Sequence, residues 1–159
     1  MAMPDSFPKT ISFSFESASS APGPFWKRQG EGDARFRRTP SLLLVEETGT
    51  WWDVDASARI RHDFRKTFQL EKRSPHELVV GKHTPEGEVV ELLTLVRGEH
   101  GRWTSPAPHL CIEDEYRCEL FLDGDALLRI TWWSRGPEKN YHLQTRYDDS
   151  GLSRTWLES

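Results

Sequence analysis

The feature that most constrains this chain is a period of two. "TISFSFE" sets Ile11, Phe13 and Phe15 on one side and Thr10, Ser12, Ser14 and Glu16 on the other. Successive side chains of an extended strand point to opposite faces, so the alternation predicts strands with one face buried and one in water. The pattern returns in "DARFR", "SLLLVEE", "IRHDFRKTFQL", "HELVVGK", "EVVELLTLV", "HLCIEDEYRCELFL", "ALLRITWW" and "YHLQTRYD", about nine strands in all. In the fourth of these, Ile60, His62, Phe64, Phe68 and Leu70 form the inward row against Arg59, Arg61, Asp63, Arg65 and Gln69. No stretch of twelve or more residues carries a 3.6-residue period, so any helix is short.

Short turn signals separate the strands: "EETGT", "KRSPH", "TPEGE", "LDGD" and "SRGPEKN". Glycine supplies the positive φ that tight hairpins require, which makes "TPEGEVV" and "FLDGDALL" hairpins. No repeat or linker divides the chain, and 36% hydrophobic with 29% charged residues fits one globular unit. Residues 1–159 therefore read as a single β-barrel domain, with an irregular N-terminal segment 1–8 and a loop 17–30 around "SASSAPGP". Antiparallel strands joined by short turns leave two unpaired edges unless the sheet closes. The expected fold is all-β: a single antiparallel up-and-down barrel of about eight to ten strands, with a two-sheet sandwich as the alternative.

A net charge of -4 argues against a nucleic-acid partner, and "RFRR" reads as an exposed strand face. No apolar run reaches the roughly 20 residues that span a bilayer, so membrane insertion is not expected. "MAMPDSFPK" lacks the apolar stretch of a secretory signal. Cys111 and Cys118 fall on one predicted strand, where about 3.3 Å per residue would hold them roughly 23 Å apart, beyond disulfide reach. Reduced thiols make the cytoplasm the expected compartment.

The row Leu110, Ile112, Asp114, Tyr116, Cys118, Leu120 and Leu122 places a carboxylate among core positions. Drawn out of water, Asp114 needs a partner or a proton. It is either a structural ion pair or backbone acceptor, or a group that orients a ligand or moves a proton. His62 is either a satisfied core histidine or the imidazole that Asp114 would orient. His109 and Cys111 have soft-metal chemistry, but parity sets them opposite Asp114 and no second cluster completes a set; no metal and no cofactor are expected. Trp51, Trp52, Trp103 and Trp133 lie near strand ends, where they would rim a barrel mouth. Lys139 follows a Gly-Pro turn that fixes its direction.

Several of these residues also carry a family resemblance. "GEGDARF" followed by "LLLVEETG" is similar to the G-x-A-x-F and Y-x-E-x-G elements of a family of small calycin-like proteins of unknown function. "HLCIEDEY" resembles its H-x-C-x-x-D-x-Y signature, and "RGPEKNYHLQTRY" its G-P-x-K-x-Y segment. By this resemblance the carried-over positions are His109, Cys111, Asp114, Tyr116, Gly136, Pro137, Lys139 and Tyr141. "PKTISFSFESAS" departs from the G-x-W that usually opens the family. The resemblance implies a lipocalin-type barrel and no established activity.

The expected function is a barrel that binds an apolar or aromatic small molecule inside a lining of Phe13, Phe15, Phe36, His62, Phe64, Tyr116, Trp132, Tyr141 and Tyr147. Asp114, with Lys139 or His62, would fix its polar end. One alternative is an isomerase, cyclase or dehydratase using Asp114 and His62 as an acid–base pair. The other is a structural subunit with a filled barrel, partnered by another protein or by its own copies.

Overall fold

The computed structural model describes residues 9–20, 25–56, 60–106, 109–111, 114–123, 127–137, 139–148 and 156–158. Its strands are β1 (Lys9–Ser19), β2 (Trp26–Arg38), β3 (Leu42–Asp53), β4 (His62–Ser74), β5 (Glu77–His83), β6 (Val89–Arg97), β7 (Arg102–Thr104), β8 (His109–Cys111), β9 (Asp114–Asp123), β10 (Leu127–Gly136) and β11 (Lys139–Asp148). Each pairs antiparallel with the next along the chain, apart from β7, which pairs with β9 instead of β8; β8 is a short flap on β9. The first strand returns to the last, Phe13 opposite Tyr147 and Ser17 opposite Leu143. Ten strands thus close into an up-and-down barrel, and no edge remains between β1 and β11.

Alternation sets the interior. Ile11, Phe13, Ala34, Phe36, Leu43, Val45, Phe68, Leu70, Leu78, Val80, Leu93, Leu95, Leu120, Leu128 and Ile130 pack one core inside the ring. The β2–β3 turn and the start of β1 lie at one end, the foot. A helical turn at Trp156–Leu157 is buried there: the Trp156 indole N–H donates to the Thr39 carbonyl at 2.8 Å, and Lys72 Nζ donates to the Trp156 carbonyl. The foot is thereby filled. At the other end, the mouth, lie Ser19, Trp26, Asp53, His62 and Lys139. Among the described residues no helix is long and apolar enough to cross a membrane.

Three local readings of the sequence change. The loop expected over 17–30 is strand at both its ends, because β1 runs to Ser19 and β2 starts at Trp26. "WKRQGEGD" has turn chemistry, yet its glycines are where neighbours press on a strand. A Cβ at Gly30 would lie 2.0 Å from the Phe15 ring, and one at Gly32 would lie 2.1 Å from the Thr48 carbonyl oxygen. "HLCIEDEYRCELFL" is two strands, with Cys111 paired opposite Asp114, so Cys111 stands four residues from Cys118 along β9 rather than seven. Cys118 is a free, buried thiol. Third, β4 begins at His62; Ile60 lies outside the barrel wall, 64% exposed, and the inward row starts at Phe64. Segment 1–8 falls outside the described residues.

Candidate functional site

The core does not fill the barrel to its mouth. A pocket of about 220 Å³ opens there, with walls of Phe15, Trp26, Trp51, Phe64, Tyr141 and Leu143 and polar positions at Ser17, Arg28, Glu47, Lys66 and Thr145. Its lining comes from β1, β2, β3, β4 and β11, the five consecutive strands that flank the closing seam. Parity places every one of these side chains. Phe15 and Ser17 continue the inward row of Ile11 and Phe13, Glu47 and Trp51 that of Leu43 and Val45, and Lys66 that of Phe68 and Leu70.

Space for the pocket comes from small residues on β2 and β3. Gly30, Gly32 and Gly49 present no side chain to the lumen; the Phe15 ring lies where a Gly30 Cβ would be, while backbone of the opposite strand lies where Cβ atoms of Gly32 and Gly49 would be. Phe15 meets Phe64 edge to face at 5.6 Å and 79°, and Phe64 meets Phe13 at 6.0 Å. Below them Phe13 and Phe36 both contact the Tyr147 ring, at 5.9 and 5.5 Å. These pairings hold the rings at offset and edge-on geometries, which their quadrupoles favour.

The floor is polar. Glu47 is only 2% exposed. Its Oε2 accepts the hydroxyl proton of Tyr147, and its Oε1 lies 3.8 Å from Lys66 Nζ. Burial raises the phenol of Tyr147 well above its ordinary range, and the Glu47 charge and hydrogen bond raise it further, so Tyr147 stays a donor. Burial likewise pushes the Cys118 thiol far up, with Lys66 opposing and Glu119 adding, which makes the thiol unreactive.

The rim is a run of stacked planar groups. Tyr141 leans on Trp26 at 6.0 Å; the Arg28 guanidinium lies 4.1 Å from the Trp26 ring and 4.5 Å from the Trp51 ring; Trp51 stacks on His62 at 4.2 Å and 21°. Arg28 Nε also donates to Asp53 Oδ1 at 3.1 Å. A guanidinium held between two indoles and tied to a carboxylate keeps its direction, so the mouth has a fixed wall on this side.

The residues singled out from sequence are dispersed along this axis. Phe64 and Tyr141 line the pocket. Phe36 and Tyr147 belong to the packed core beneath it, and Trp132 packs against that core half-buried. His62 is exposed at the rim rather than inside, because β4 has only just entered the wall there. Asp114 and Tyr116 are half-buried on β9, Tyr116 in register with Ser134, and Ser134 with Tyr141. β9 stands four strand positions from β4 around the ring, an arc of about 19 Å at 4.8 Å per strand, so His62 and Asp114 are not on neighbouring strands. The Lys139 backbone pairs with Gly136 at the mouth; its side chain, like those of His109 and Cys111, is outside the described residues. Of the four rim tryptophans expected, Trp51 is at the pocket, Trp52 and Trp103 are buried, and Trp133 is on the outer face beside His142.

Trp26, Arg28, Glu47 and Lys66 were missed by the sequence reading. Trp26 and Arg28 fell in the supposed loop. Glu47 and Lys66 stood on inward parity all along, and parity was the signal that would have found them.

Among comparisons with known proteins, the model of a family of unknown function (DUF6314) matches residues 23–149. No curated protein matches the chain.

Proposed function

Since the chain belongs to the family of unknown function DUF6314, we propose for it a function read from its own pocket: a calycin-like barrel that binds a small, planar aromatic molecule at its mouth. The observation that carries this reading is the pocket of about 220 Å³, walled by five aromatic side chains and floored by charged ones. Small-molecule sites combine an apolar lining with a few placed polar groups. A dry cavity of about 150 Å³ accepts benzene, so this one suits one or two fused rings and not a lipid. The packed foot, plugged by Trp156 and Leu157, supports a ligand that enters and leaves by the mouth alone. The cytoplasm belongs to the same proposal, supported by the free thiol of Cys118.

The test is a titration of intrinsic tryptophan fluorescence with one- and two-ring aromatic compounds. Trp26 and Trp51 stand in the pocket wall, so binding quenches emission saturably. A ligand at 100 times its Kd stabilises the fold by about 2.7 kcal/mol and raises the melting temperature. Trp51→Leu and Phe64→Leu weaken both responses. Absence of quenching and of thermal shift across the whole panel would sink the proposal.

A further inference from the structure

The floor carries information about ligand chemistry that the walls do not. Lys66 and Glu47 both line the pocket, with Nζ and Oε1 3.8 Å apart, beyond hydrogen-bond distance. Glu47 Oε2 is taken by Tyr147, but Oε1 makes no hydrogen bond among the described residues. The Lys66 ammonium has that carboxylate and the Phe68 ring, 5.7 Å away, as neighbours, and its side chain is 38% exposed, so its N–H donors are open to an entering ligand. A buried carboxylate and a part-exposed ammonium thus stand side by side at the end of an aromatic slot, an acceptor and a donor that a ligand entering from the mouth can meet together. Each cation of the lining has a carboxylate beside it, Glu47 for Lys66 and Asp53 for Arg28.

A ligand that satisfies both groups presents a donor and an acceptor on adjacent atoms of a flat ring. We infer that the floor reads a lactam edge, the ring N–H donating to Glu47 and the neighbouring carbonyl accepting from Lys66, so that the ligand is a one- or two-ring heterocycle of the pyrimidinone, purinone or quinolinone type. This rests on the mouth-pocket reading above. It adds polar selection to aromatic fit, and polar selection is the sharper of the two. A site built to hydrogen-bond an N–H rejects an analogue lacking it far more strongly than an apolar wall rejects a change of shape.

Three probes of one shape test it: isoquinolin-1-one, isocoumarin (ring oxygen in place of N–H) and naphthalene, each titrated by tryptophan quenching. The lactam binds at least tenfold more tightly than the lactone, whose ring oxygen would face the Glu47 carboxylate. Glu47→Gln abolishes that preference, and Lys66→Met weakens the lactam about five- to tenfold. Circular dichroism checks folding; should Glu47→Gln not fold, the wild-type ratio and Lys66→Met still decide. Equal binding of all three probes overturns the lactam edge and leaves the mouth pocket standing. Binding of none of them overturns both.

Discussion

At the residue scale the central unit is Glu47 with Tyr147, a buried carboxylate held by a buried phenol. Replacing Tyr147 by Phe leaves the carboxylate without its donor, and we expect a loss of about 1–3 kcal/mol in urea denaturation. The pair also fixes a pH dependence. The native phenol keeps its proton beyond the ordinary range because burial, and then Glu47, oppose its ionisation. Its folded pKa is raised above the unfolded value of about 10, so its contribution is complete below that pH and is lost as pH climbs towards the raised value. Wild type therefore loses stability as pH rises above about 10 in a way that Tyr147→Phe does not. An absorbance titration of the three tyrosines should show one phenol ionising only as the barrel unfolds. Glu47 and Lys66 illustrate what the sequence withholds at this scale. Alternation says which side of a strand a residue occupies, and both were on the inner side. It does not say whether a charged residue there has a cross-lumen partner, since Tyr147 is a hundred positions from Glu47.

At the element scale, β2 and the foot plug depend on contacts that hydrophobic patterning does not register. Phe15 lies over the bare backbone of Gly30, with the Thr50 carbonyl oxygen 2.8 Å from where a Cβ would be. Gly30→Ala therefore displaces the ring into the pocket. We expect about 1–3 kcal/mol of destabilisation from overpacking, with a matching loss of aromatic binding in the fluorescence titration. Trp156→Ala removes a buried indole and its bond to Thr39, which should cost about 3–5 kcal/mol by thermal or urea melts while leaving the mouth intact. Most of the strands were legible because polar and apolar residues alternate cleanly in them. β2 was legible only in its second half, as "DARFR": near the pocket its inward positions are Trp26, Arg28, Gly30 and Gly32, which give no apolar row. The β8–β9 reversal was also hidden: pairing Cys111 with Asp114 and His109 with Tyr116 shifts the alternation by one residue across the turn, so the unbroken row through 109–122 and the parity that set His109 and Cys111 opposite Asp114 do not hold.

At the scale of the whole molecule, closure follows from the even run of hairpins and was readable from the absence of any pattern for a covering helix. The position of the site was not. It depends on which end of the ring is filled, and that is decided by Trp156 and Leu157, distant in sequence from the strands they plug. Closure also governs folding. The β1–β11 pairing joins residues more than a hundred positions apart, and the pocket draws its wall from both sides of that seam. Such non-local pairing bears the loop-closure cost before any contact offsets it, so refolding should fall in the millisecond-to-second range of barrels rather than the microseconds of helical bundles. Because each strand of the ring is flanked by two others, no part can leave without exposing edges on its neighbours. Unfolding in urea should therefore be a single transition. Far-ultraviolet circular dichroism, which reports the strands, and tryptophan emission, which reports both mouth and foot, should give coincident curves. In stopped-flow refolding, ligand-induced quenching should appear only with the final phase, because Phe15 on β1 and Tyr141 on β11 come into one pocket wall only when the first and last strands have met. Quenching that preceded that phase would mean the site forms without the seam, and the closed ring would then not be what builds it.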